Sequence, residues 1–551
     1  MAWYYELALL PCFHFMHIIK GFRMRPFAGC IVCLLLLNIS SVFAADGYQR
    51  VAGIDIIHYR IGLTLDPMDS VITGETGILV SFTGTGITEI PLDFGALTVD
   101  QVLEQDVEAA YKHEGERLTV TLKGTYKSGD RTQLTIFYHG QPKDGLFIQN
   151  NKFGNRAIFA DNFSNRAHHW FPSIDHPYDK ATVRFEVTAP EGYDVVANGR
   201  LIETTHLQDG LKRTIWQSTT EIPTYCMVVG ATNFSIVHAG SWNGIPVSYY
   251  LYPEDRENGI TDFSRALQML ELYSTMIGPY PYAKLALVQS STRYGGMENA
   301  SAIFFSERSI RGTKQNEGTI AHEIAHQWFG DSVTESDWHH VWLSEGFATY
   351  FGALYFERAY GRDRFIQSMQ GSKQRYLRAF ERNPGPIHDS RITDLSDVLT
   401  GYHYVKGSWV LHMLRGIMGD TAFFNGIRDY YRTYRDENAL TADLQKVMEF
   451  HAERPLDWFF QQWIYETGHP VYQLTWTWDD PKKQVAVRIR QAQEGVTYRM
   501  PLMLSLQSAG NTTRETIQST ERDQTFTIGL DDKPTKIILD PDEWVLKEMM
   551  N

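Results

Sequence analysis

Thr319-Ile320-Ala321-His322-Glu323-Ile324-Ala325-His326-Gln327-Trp328-Phe329-Gly330 is the stretch on which the reading of the whole chain turns. It carries H-E-x-x-H inside an apolar pattern of helical period. Residues four apart on a helix share a face, so His322 and His326 can reach one ion, with Ile320, Ile324 and Phe329 supplying apolar surroundings. Two neutral imidazoles, a carboxylate and an open fourth position suit a catalytic zinc ion, whereas a structural site closes with four protein ligands. Glu323, beside the first histidine, is placed to act on a water at such an ion. The short pattern also arises by chance in long chains, so its neighbourhood decides its meaning.

Nineteen positions after His326 stands Glu345, in Trp342-Leu-Ser-Glu345-Gly-Phe-Ala-Thr-Tyr350, at the start of a second apolar helical pattern. An acid at a helix start is also what the helix dipole favours, but in combination with the two histidines the ligand reading prevails. Upstream lies Tyr294-Gly295-Gly296-Met297-Glu298-Asn299-Ala300, where two glycines let backbone approach a ligand closely and a carboxylate sits among apolar neighbours. Alone, that segment reads better as a β-turn with a solvated glutamate. Downstream, Tyr404 stands in Tyr404-Val-Lys-Gly407, beside Tyr402 and His403.

The surrounding chain has 551 residues, 43% hydrophobic and 21% charged, which excludes collagen-like, low-complexity or wholly disordered readings and requires several cores. From about 54 to 237 apolar and polar residues alternate in short runs broken by Gly, Asp and Pro. From about 262 to 468 the period becomes helical, as in Val405, Trp409, Met413, Leu414 and Ile417. Alternation then returns. The expectation is a multidomain α+β chain: an N-terminal antiparallel β domain over 45–240, a mainly helical catalytic domain over 241–468 and a C-terminal β-sandwich over 469–551. A net charge of −14 removes the electrostatic term that drives binding to phosphate backbones, so nucleic acid is not an expected partner.

Residues 1–44 read as a secretory signal: Arg23-Met-Arg25, an apolar run from Phe27 to Leu37, and small residues before a cut after Ala44. The run is shorter than the roughly 20 residues that span a bilayer, so no stable membrane span is expected after cleavage. Translation starting at Met24 would leave a signal of ordinary length. Export implies a periplasmic or extracellular protein. Cys12, Cys30 and Cys33 leave with the signal, so Cys226 alone remains and no internal disulfide can form.

Together these residues resemble the gluzincin aminopeptidases of the M1 family, the group that contains leukotriene A4 hydrolase. The resemblance rests on Gly295-Gly-Met-Glu-Asn299, on His322-Glu-Ile-Ala-His326 with Glu345, and on Tyr404-Val-Lys-Gly407. It extends to Asp55-Ile-Ile-His-Tyr-Arg-Ile-Gly-Leu-Thr-Leu-Asp66, similar to an opening strand, and to Phe171-Pro-Ser-Ile-Asp-His-Pro177 with Lys180. It implies a thermolysin-like catalytic domain and one Zn2+ per chain on His322, His326 and Glu345. Glu323 would be the general base, and Tyr404 would donate to the oxyanion. Glu298 would hold the free α-ammonium of a peptide, within a substrate motif of Gly295, Gly296, Met297, Glu298 and Asn299. The β-rich tail without a long helical C-terminal domain is the expectation for a short three-domain member.

The resemblance leaves some positions open. The second contact to the substrate amine falls on Asp161, Asn162 or Phe163 without a choice between them. Asp331 and Asp337 flank the zinc helix and read better as solvated loop acids than as partners of the histidines. Asn299-Ala-Ser301 fits a glycosylation sequon, yet a glycan there would block the substrate motif. A different zinc hydrolase, endopeptidase or epoxide-opening, and an inactive peptide-binding scaffold are the alternatives; no oligomeric state is expected from the sequence. N-terminal sequencing of the exported protein should begin at Ala45, and any residue upstream would overturn the cut after Ala44.

Overall fold

The computed structural model describes residues 46–394 and 399–550. The expected signal and its cleavage point therefore lie outside the described residues. Among the described residues no helix is long and apolar enough to cross a membrane.

The N-terminal body is built on an eight-stranded sheet. Its strand Ile54–Leu65 shows how the alternation is read: Ile54 and Ile56 are buried, a bulge between Ile56 and His58 shifts the phase, and Tyr59, Ile61, Leu63 and Leu65 continue on the core side. This strand pairs antiparallel with Ile72–Phe82 and parallel with Lys180–Pro190, Ile61 standing opposite Phe185. The sheet is thus mostly antiparallel, as the alternation suggested, with this one parallel pair among its ladders. A connection of more than a hundred residues, carrying further strands, separates the parallel partners and is long enough to make the crossover that such a pair needs.

The border expected at 240 falls inside the strand Ser235–Trp242, which pairs with Ile245–Leu251 in a five-stranded sheet of the catalytic body. That sheet continues through Leu285–Ser290 and Ala302–Ser306 and ends on the two-residue edge strand Gly296–Met297. Helices follow: α1 (Arg256–Phe263), α2 (Ala266–Met276), α3 (Glu317–His326), α4 (Trp342–Tyr360), α5 (Arg362–Arg382), α6 (Gly401–Met418), α7 (Asp420–Tyr434) and α8 (Thr441–Ala452). The segment after Gly468 forms a four-stranded and a three-stranded sheet, with Val485, Val487 and Ile489 of one and Leu502, Leu504 and Leu506 of the other buried.

Buried lysines join the bodies. Lys180 Nζ donates to the carbonyls of Asp331 and Ser332 at 3.2 and 2.7 Å, fastening the N-terminal sheet to the loop after α3. Lys284 Nζ donates to Ala197 O and Ser301 O at 2.8 and 3.2 Å and lies 4.8 Å from the Trp216 ring centroid. Cys226 is fully buried, its thiol donating to Asp331 Oδ1 at 3.4 Å.

The C-terminal sheets are tied to α6 through His412, whose Nε2 donates to Glu543 O at 3.1 Å while its ring stacks on Trp544 with centroids 4.6 Å apart. Burial, aided by Arg362 and Arg415 and opposed by Asp420, pushes this imidazole down to about 3. The folded protein therefore holds His412 neutral while the unfolded chain takes up a proton near pH 6.5. Between these values the unfolded state binds more protons, so this group's contribution to stability is full above about pH 6.5 and is lost as pH falls toward 3. His412→Gln should flatten the fall of melting temperature between pH 6.5 and 4; an unchanged slope would remove His412 from the acid response.

Candidate metal centre and active site

Helix α3 buries Ile320, Ala321, Ile324 and Ala325 against the core, and the same helical spacing turns His322 and His326 to one side. Glu345 stands in the first turn of α4 and meets them. His322 Nε2 and His326 Nε2 each lie 3.2 Å from Glu345 Oε2 and 2.9 Å from each other, so three donor atoms converge on one point. The opposite ring nitrogens are engaged elsewhere. His326 Nδ1 lies 3.1 Å from Phe329 O and 3.0 Å from Ser344 Oγ, and His322 Nδ1 lies 3.4 Å from Thr349 Oγ1. Donation from Nδ1 leaves both Nε2 lone pairs toward the shared point, the tautomer a metal ligand needs.

Close backbone approaches set this geometry. Gly330 has φ +118°, and a Cβ there would come within 2.3 Å of Ser344 Oγ and 3.1 Å of His326 Nδ1. Helices α4 and α6 cross with Gly346 against Gly407: a Cβ on either would lie 2.9 Å from the other's Cα. That contact is the physical content of Tyr404-Val-Lys-Gly407, because it brings Tyr404, one turn before Gly407, beside Glu345. The Tyr404 ring stacks on His322 with centroids 5.9 Å apart, and burial with the adjacent Glu345 carboxylate raises its phenol well above the ordinary range.

Glu323 projects from α3 toward the edge strand, where a Cβ on Gly296 would lie 2.3 Å from its Oε1. Glu298, Glu323 and His326 place donor atoms within 4.8 Å of one another. As protein groups alone they are strained electrostatically. Burial pushes Glu298 up to about 7, with His326 opposing and Glu345 and Asp161 adding to the rise, and burial raises Glu323 well above its ordinary value. His326, despite burial, is held high by Glu298 and Glu345. A divalent cation at the shared point fits: it would supply the positive charge that the carboxylates draw from the imidazole, leaving both histidines neutral ligands.

The loop carrying Glu298 is held by Gln327, the residue after the second histidine. Its Nε2 donates to Glu298 O and Asp331 Oδ2 at 2.6 and 2.7 Å, and its Oε1 accepts from Ser301 N and Tyr280 OH at 2.8 and 3.0 Å. Sequence reasoning passed over Gln327, although a polar side chain ending an apolar helix was a signal. Met297 is buried on the edge strand and Gly295 exposed beside it; Asn299 is fully buried with neither amide atom hydrogen-bonded to protein. Its burial leaves no room for a glycan.

Asp331 is not the solvated acid expected. It is fully buried; its side chain accepts from Gln327 and Cys226, and its backbone N–H donates to His326 O at 3.1 Å, the loop after α3 turning inward under Lys180. Asp337 is also mostly buried and caps the turn Trp338–His340 through His339 N at 3.0 Å. Of the three candidates for a second amine contact, Asn162 is spent on Thr224 O, Met227 O and Trp170 Nε1, and Phe163 packs edge-on against Tyr225 and Trp338. Asp161 is paired with Arg166 through Oδ1, while its buried Oδ2 has no hydrogen-bond partner. Glu335, unremarked in the sequence, is buried with both oxygens unpaired, and burial pushes it up to about 8.

Two family models match the chain: the peptidase M1 N-terminal domain over residues 56–226 and the peptidase family M1 domain over residues 262–463. Tricorn protease-interacting factor F2 of Thermoplasma acidophilum is 29% identical over 403 residues, 70% of this chain and 50% of that protein. The probable aminopeptidase 2 of Sulfurisphaera tokodaii is 24% identical, over 88% of this chain and 63% of its own. The chain thus spans about half to two thirds of the length of these relatives. Among solved structures, an M1 zinc metallopeptidase from Deinococcus radiodurans superposes with a TM-score of 0.66 at 23% identity, covering 78% of this chain and 99% of that one.

Two glycine substitutions test the arrangement. Gly407→Ala should lower stability by about 1–3 kcal/mol by forcing α4 and α6 apart, read as a drop in melting temperature. Gly296→Ala should displace the Glu323 carboxylate and, on the expectation that Glu323 is the general base, lower kcat by about 100-fold or more. Normal turnover in Gly296→Ala would mean that Glu323 is not held by this contact.

Proposed function

Because the chain belongs to peptidase family M1, we propose that it is a zinc-dependent aminopeptidase releasing single residues from peptides with a free N-terminus. The observation that carries this is the buried Glu298 carboxylate, within 4.8 Å of Glu323 and His326. A carboxylate at that place, beside the reacting carbonyl, accepts hydrogen bonds from an α-ammonium and so restricts attack to the first peptide bond. Asp161, flanked by Arg166 and by Arg293 Nε at 4.0 Å from its Oδ2, adds a weaker charge effect on Glu298.

His322, His326 and Glu345 would hold the ion, and their two-nitrogen, one-oxygen set suits zinc. Zinc bound there supplies Lewis acidity toward the scissile carbonyl and lowers the pKa of water. Glu323 takes a proton from the attacking water and returns it to the departing amine. Tyr404, kept protonated by burial, donates its hydroxyl hydrogen to the oxygen on which charge develops. Gly296–Met297 is an edge strand with one side unpaired in its sheet, which favours alignment of the peptide backbone beside it. The two C-terminal sheets are read as a small β-sandwich, and the protein as one exported to the periplasm or exterior.

Aminoacyl-anilides with free and acetylated amines separate this reading from its rivals. Free-amine substrates should be cleaved, acetylated ones not, with activity lost on chelation and restored by zinc. Glu298→Ala should lower kcat/KM on free-amine substrates by about 10- to 100-fold, the worth of a hydrogen bond to a charged group, with zinc still bound. Equal cleavage of acetylated and free substrates would point to an endopeptidase, and absence of any cleavage by the zinc-loaded protein to another hydrolysis or a scaffold.

A further inference from the structure

A cavity of about 660 Å³ opens beside the candidate metal centre, with His322 and Tyr404 in its wall and none of residues 295–299 lining it. Its far wall is one face of α5: Arg364, Ser368, Ser372, Arg375 and Ala379 follow at three- and four-residue steps. The charged side chains there are arginines. Among the described residues no aspartate or glutamate lines the cavity, in a chain whose net charge is −14.

Arg375 donates to Ser372 Oγ at 3.1 Å and has no carboxylate partner among the described residues. Arg364 lies over the Phe356 ring, 5.0 Å from its centroid, and likewise makes no ion pair among the described residues. Both are exposed to the cavity's solvent. Arg375 and His322 line the same cavity. The buried Glu298 proposed to hold the amine is not among the residues lining this cavity. The acid for the amine and the arginines of the cavity thus belong to separate parts of the site. A short zwitterionic peptide carries the matching pattern.

We propose that the cavity is a carboxylate subsite in which Arg375, with Arg364 beside it, binds the C-terminal carboxylate of short peptides, making these the preferred substrates. The inference rests on the aminopeptidase reading and deepens it. A guanidinium without an acidic partner offers its fork to a carboxylate in the bidentate geometry that arginine favours. Because both arginines are solvent-exposed, the attraction is moderate and weakens with salt. It acts on substrate binding rather than on the chemical step, since the charged group lies away from the scissile bond.

The test compares Leu-Gly-Gly, Leu-Gly-Gly-Gly and Leu-Gly-Gly-Gly-Gly with their C-terminal amides, and with leucine anilide, on the zinc-loaded enzyme and on Arg375→Gln. For at least one length the free acid should exceed its amide about tenfold in kcat/KM, chiefly through KM, and the excess should shrink at high salt. Arg375→Gln should abolish the excess, leave the amides and the anilide unchanged, and keep the wild-type melting temperature. Equal cleavage of acid and amide at every length, with leucine released from both, overturns the subsite while leaving the aminopeptidase intact. So does a preference that survives Arg375→Gln, or one that appears only for acidic side chains in Leu-Glu-Gly amide. Failure to release leucine from any peptide or from the anilide would instead sink the aminopeptidase reading itself.

Discussion

Three buried glutamates crowd two histidines in the catalytic body, and the rest of the structure is arranged around the cost of that crowding. Charges out of water are stable only when paired, and carboxylates that share a small volume raise one another's pKa. Here burial raises Glu298 and Glu323, while Glu345 is held low by the neighbouring imidazoles despite its own burial. The compensating positive charge has a defined place, the point where His322 Nε2, His326 Nε2 and Glu345 Oε2 converge. Folding and metal affinity are coupled through this point, because an ion there relieves a repulsion that the packed protein otherwise carries.

Holding such a cluster requires backbones nearer than side chains usually allow. Gly346 and Gly407 let α4 and α6 touch, which sets Tyr404 by Glu345; Gly296 lets the edge strand press on Glu323; Gly330 turns the chain away under His326. Gln327 and Lys180 then tie the two ends of the motif to the substrate loop and to the N-terminal sheet. The chemistry thus stands on pieces contributed by a sheet edge, three helices and a neighbouring body, each fixed by a buried contact.

The residues proposed to bear the chemistry stand out in the sequence by identity and spacing: imidazoles four apart, a glutamate at a helix start, a tyrosine and glycine three apart, which the fold brings together. The β, helical, β succession was legible from periodicity. What escaped was whatever depends on a distant partner. Asp331 looked like a loop acid because its burial is imposed by Lys180 and Cys226, far away in sequence. The parallel pairing of Ile54–Leu65 with Lys180–Pro190 leaves no trace in either strand's alternation, since both faces are patterned alike in either sense. Asn162 and Phe163 stood level with Asp161 until their contacts separated them, and Arg375 is an ordinary surface arginine until α4 and α6 enclose a cavity around it.

Cys226 gives the fold a built-in clock. It is the only cysteine among the described residues, fully buried, and burial with Asp331 raises its thiol well above the ordinary value. Thiolate is the reactive form, so a labelling reagent meets it only when the seam between the N-terminal sheet and the loop after α3 opens. When the reagent reacts faster than the seam recloses, the rate at which this sulfur is modified is the rate at which the two bodies part, readable at a single atom and without any substrate.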